Sequence, residues 1–86
     1  MAEGVRYRAI VLEQLMVHGI RPNDHTPPEL VRAFVRDLYK YEIRCLRERY
    51  LGGAFPKIEY ARRVDDLRRR YPVLALQPRE FLDTPM

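Results

Sequence analysis

Serine is absent from this 86-residue chain, and Thr26 and Thr84 are its only threonines. A hydroxyl nucleophile with a paired base therefore has almost nothing to be built from. Cys45 is the sole cysteine, which excludes an intramolecular disulfide and a thiol-based zinc cluster. A lone thiol suits a reducing, cytoplasmic setting. No apolar run exceeds the four residues of Ala9–Leu12 and Val73–Leu76, whereas a membrane span needs about 20. The opening Met1–Arg8 stretch lacks the apolar segment of a secretory signal. Glycine-rich phosphate loops are missing as well, since the Gly52-Gly53 pair reads as a helix stop.

What is present reads as a folded chain. Hydrophobic residues make up 47% and charged residues 33%, too apolar for a disordered segment. The length corresponds to one domain. A chain of this size buries only about 60% of the surface its unfolded form exposes, so its margin is thin and self-association would help it. Net charge is +4, with Arg far ahead of Lys, which occurs only at positions 40 and 57. The charge permits acidic proteins, anionic lipid or nucleic acid as partners. The Arg excess is also what GC-rich codon usage produces.

Apolar spacing predicts an all-α fold: an antiparallel three-helix bundle with a long central helix and an apolar C-terminal strap. The first helix is expected over about 2–18, with Val5, Ala9, Leu12, Leu15 and Met16 on one side. Gly19 at C′ and Ile20 at C″ suit a Schellman stop. Thr26-Pro27-Pro28-Glu29 has the form of a capping box, opening a helix over about 27–51. A third helix is expected over about 56–71, carrying Tyr60, Val64, Leu67 and Tyr71 inward, and a tail over 72–86.

The central helix carries two apolar stripes. Leu30, Phe34, Leu38, Tyr41 and Cys45 form one, flanked by Val31 and Val35. Tyr39, Ile43, Leu46 and Tyr50 form the other. Stepping 100° per residue separates them by roughly 120–160°. The simplest assignment places helix 1 on the first stripe and helix 3 on the second.

Candidate chemistry is sparse. Mid-helix Cys45 reads as a small hydrophobe. His18 and His25 flank a connector without a recognised ligand spacing. Asp65-Asp66 is accounted for by arginines three and four residues later, in the favourable order. Neither an enzyme nor a cofactor or metal site is expected. The leading expectation is a non-enzymatic interaction or accessory module, a homo-oligomer or a binder of another protein, using Tyr39, Ile43, Leu46 and Tyr50. The alternative is a basic adaptor for single-stranded nucleic acid, RNA before DNA. It would use Arg36, Lys40, Arg44 and Arg47 on one helix face and Arg68, Arg69 and Arg70 at the end of helix 3. Tyrosines beside arginines favour stacking on unpaired bases.

Overall fold

A computed structural model describes residues 4–83, so the expectations for residues 2–3 and 84–86 lie outside the described chain. The described residues are mostly helical, in the order α1 (Ala9–Val17), α2 (Pro28–Leu51) and α3 (Lys57–Arg69), followed by two 3-10 turns, Pro72–Ala75 and Pro78–Phe81. Helix α1 starts well after the expected residue 2. Gly4–Arg8 is non-helical and pairs with the tail instead, Tyr7 forming an antiparallel bridge with Leu82. The Arg8 amide donates to the Phe81 carbonyl at 2.9 Å, and the Asp83 amide to the Arg6 carbonyl at 2.8 Å.

The helix stops follow the sequence chemistry. Gly19 adopts φ +75°. The Ile20 amide donates to Leu15 and the Gly19 amide to Met16, the double bond of a Schellman motif. Gly53, at φ +84°, closes α2 in the same way, with the Ala54 amide on Arg49 and its own on Tyr50. The start of α2 departs from expectation. Pro27 is its N-cap and no side chain caps it. Thr26 lies one residue too early, and its hydroxyl is occupied within the preceding turn, where it accepts from the Asn23 amide at 3.0 Å.

Helices α2 and α3 form a hairpin around the Gly52–Phe55 turn. The third element packed against α2 is the tail. Both 3-10 turns lie on α2, and α1 packs on the first of them. Val73 and Phe81 are fully buried, as are Val11, Leu15 and Val35. The apolar C-terminal strap expected from the sequence is therefore an internal filler between α1 and α2. Arg32 fixes it: Nε donates to the Leu76 carbonyl and Nη2 to the Leu74 carbonyl, both at 2.8 Å. Helix α1 is also not an antiparallel neighbour of α2. Tyr7, just before it, reaches the Thr26 carbonyl at 2.6 Å, while His18, just after it, reaches Arg70 at the far end of α3.

This arrangement rotates α2 relative to expectation. Its buried residues include Val31, Val35 and Leu46, with Tyr39, Ile43 and Tyr50 packed beside them. Leu30, Phe34 and Tyr41 of the first stripe remain 61%, 60% and 59% exposed. The molecule is a rod of 56 × 19 × 17 Å with a radius of gyration of 15.9 Å, against about 12 Å for a compact domain of this length.

Two substitutions measure how far the tail supports the fold. Arg32→Met leaves the Leu74 and Leu76 carbonyls without their charged donor and lowers stability by about 2–4 kcal/mol. Phe81→Ala empties the core and costs about 3–5 kcal/mol. The exposed Lys40→Ala changes stability by less than about 0.5 kcal/mol. Urea midpoints at one protein concentration check all three.

Candidate interaction surfaces

Helix α2 presents three faces. The inward face runs through Val31, Val35, Tyr39, Glu42, Leu46 and Tyr50. A second face, about 100° away because each member lies one residue earlier, carries Leu30, Phe34, Leu38, Tyr41 and Cys45. A third carries Arg36, Lys40, Arg44 and Arg47, roughly 120° from the second.

The apolar face lies along a trough. At its N-terminal half, Leu30 and Phe34 share a cavity of about 250 Å³ with Ile20 and Pro22 of the connector. At its C-terminal half, Tyr41 and Cys45 line a cavity of about 430 Å³ against Arg63, Asp66 and Arg70 of α3. Cys45 is half-buried in this wall, and its thiol pushes the Tyr41 phenol above the ordinary tyrosine range. Helix α1 adds further apolar surface. Seven of its nine residues are apolar, yet Ile10, Met16 and Val17 stand 52%, 53% and 74% exposed.

The residues expected to form a partner interface are occupied within the chain. Leu46 is buried, and Tyr39, Ile43 and Tyr50 pack on the core. Tyr50 stacks on Tyr60 at 4.5 Å between ring centroids. Phe55 plugs the hairpin tip beside them, with the Arg63 and Arg49 guanidinium groups 4.5 and 5.4 Å from its ring. The open apolar surface is the neighbouring stripe.

A polar joint closes the middle of the molecule. The His18 ring stacks on Tyr71 at 4.1 Å, and its Nε2 lies 2.6 Å from the Arg70 carbonyl. A carbonyl only accepts, so that nitrogen carries the proton. Tyr39 meets Tyr71 edge-on at 5.2 Å. The Tyr71 hydroxyl donates to the Glu42 carboxylate, which also sits 3.9 Å from Arg70. Burial, then the bond to Glu42 and its charge, hold the Tyr71 phenol far above its usual range. His18 is thus part of a packing joint. Among the described residues, no three His, Cys, Asp or Glu side chains converge as a metal site would require.

The basic residues divide. Arg36, Lys40, Arg44 and Arg47 are all exposed along α2. Arg68, Arg69 and Arg70 fan to different sides of α3, because successive residues turn by about 100°. Arg69 faces Asp66 at 4.0 Å and Arg70 faces Glu42 at 3.9 Å. Arg68 lies beside Tyr39, Pro72 and Leu74. The seven cations therefore do not make one surface. The tyrosines do not make a stacking platform: Tyr7 and Tyr71 are buried, Tyr39, Tyr50 and Tyr60 are half-buried, and exposed Tyr41 belongs to the apolar face.

No protein-family model, curated protein or solved structure shows a significant match to this chain.

The Tyr71 environment gives a pH signature. Its phenol stays neutral in the folded state above pH 10, where an unfolded tyrosine ionises. Its contribution is therefore complete below about pH 10 and declines as pH rises beyond it. Tyr71→Phe should lose less stability than the parent between about pH 9.5 and 11.5. Spectrophotometric titration should show at least one parent tyrosine ionising late, and that component should be missing in Tyr71→Phe.

Proposed function

We propose that this chain is a non-enzymatic interaction module that works as a homodimer, with the exposed stripe of α2 as its contact surface. The observation that carries the reading is the exposure of Leu30, Phe34 and Tyr41 along one line of the longest helix. Contiguous apolar surface of this kind marks interfaces. The free thiol of Cys45 fits a cytoplasmic setting.

A second copy is the occupant that area and charge favour. The accessible surface is 6667 Å², whereas a compact monomer of 10.3 kDa exposes about 5,400 Å². The surplus exceeds the roughly 800 Å² that each partner gives to a standard interface. Helix α1, apolar nearly all round, has the composition of an element covered on more than one side.

Antiparallel pairing of two α2 helices, crossing near Tyr39 and Lys40, sets Leu38 against Tyr41 and Phe34 against Cys45 of the other copy. It also brings Asp37 of each copy within a turn of Arg44 of the other. Both lie on the same edge of the stripe, as a two-fold relation requires.

Light scattering should give about twice the 10.3 kDa chain mass. Leu30→Glu with Phe34→Glu should give the single-chain mass with unchanged helical content. A parent chain that stays at 10.3 kDa at tens of micromolar would overturn the reading. For the geometry, Asp37→Arg or Arg44→Asp alone places like charges together and weakens the dimer by roughly tenfold or more, while the double exchange restores it.

A further inference from the structure

The second unoccupied surface of α2 is its row of cations. Arg36, Lys40, Arg44 and Arg47 recur at intervals of four, four and three residues, about 6, 6 and 4.5 Å apart along the helix axis. All four are exposed. Among the described residues the only ion pair in the row is Arg36 with Asp37, 3.8 Å apart and with side chains 50% and 71% exposed, which gives little neutralisation. The other ion pairs among the described residues, made by Arg63, Arg69 and Arg70, lie outside the row, so Lys40, Arg44 and Arg47 have no carboxylate within 4.0 Å. The α2 row is thus concentrated positive charge on a rigid rod, in a chain whose net charge is +4.

We infer that this row is a binding site for the phosphate backbone of a double-stranded nucleic acid, read without regard to sequence. Three observations choose that polyanion. The row is straight and about 16 Å long, while a duplex presents one phosphate charge per about 1.7 Å of its axis, so every cation can meet a phosphate. Single strands are held largely by stacking on aromatic rings, and no exposed aromatic ring lies in the row, because Tyr39 and Tyr50 turn inward. An anionic membrane is disfavoured by Asp37 and Glu48, which lie between the cations and the apolar stripe. Embedding that stripe would press both carboxylates against the headgroups. Glu29, two turns before Arg36 on the same line, ends the row.

The row faces away from the apolar contact and shares with the proposed dimer only Arg44, at the edge of the stripe, so its test leaves that residue unchanged. With four phosphates neutralised, the log–log slope of affinity against salt for duplex DNA is about −3.6. Affinity then falls roughly 100-fold between 50 and 200 mM salt.

Fluorescence anisotropy of the full chain would test this with labelled 24-base-pair DNA and RNA duplexes, the matching single strands, and phosphatidylserine vesicles as competitor. Either duplex binding more tightly than its single strand supports the inference, and the ratio between duplexes names the preferred form. Arg36→Ala with Lys40→Ala should halve the salt slope and weaken duplex binding at least tenfold. Because both positions are exposed, circular dichroism should show an unchanged fold. No saturable duplex binding at 50 mM salt would overturn it, as would tighter single-strand binding, a double variant indistinguishable from the parent, or binding confined to vesicles.

Discussion

The structure depends on the burial of its own tail. Val73 and Phe81 are completely enclosed, and without them α1 and α2 have little to hold them together, since α1 packs on the first 3-10 turn. Apolar burial alone does not choose a direction for an irregular segment. Arg32 supplies it, by donating from two nitrogens of one planar guanidinium to the Leu74 and Leu76 carbonyls. Those carbonyls have no strand or α-helix partner of their own, so a charged donor at half-buried depth is worth far more to them than a surface contact would be. Once the tail is set, the orientation of α2 follows, because Arg32 and the flanking Val31 and Val35 must all face it.

That requirement explains what the sequence could and could not express. The all-α class, the helix stops at Gly19 and Gly53, and the length of α2 were legible, because each rests on local chemistry. The inward face of α2 was legible only in part. Residues 31, 35, 39, 42 and 46 and residues 30, 34, 38, 41 and 45 have identical spacing, displaced by one position. The outer set is the more apolar, since the inner set includes Glu42. The stripe expected to face helix 3, Tyr39, Ile43, Leu46 and Tyr50, does pack on the core, whereas Leu30, Phe34 and Tyr41 of the more apolar stripe stay exposed. Only the tertiary demand of the tail, which needs Arg32, decides between them. The start of α1 failed for a related reason: Gly4–Arg8 satisfies its amides and carbonyls by pairing with residues far along the chain, and nothing local announces that.

The candidate surfaces were legible in part. The α2 cations are exposed where helical periodicity places them, while the arginines ending α3 diverge and find carboxylates. Tyrosines next to arginines in the sequence suggested stacking surfaces. Folding instead uses most of the rings as core, with Tyr71 bonded to Glu42 and stacked on His18. The joint made by His18, Glu42, Arg70 and Tyr71 joins residues up to 53 positions apart, a separation no motif encodes. What it leaves is a helix with one face committed to the fold and two faces open, one greasy and one cationic.

The bridge between Tyr7 and Leu82 has a bearing on the order of events during synthesis. The segment preceding α1 leaves the ribosome well before the segment that fills the centre. The α2–α3 hairpin can form early, but α1 waits exposed until residues 73–82 are made. During that interval Val11, Leu15 and Val35 are all uncovered at once, so the nascent chain is a natural client for whatever shields apolar surface beside the exit tunnel.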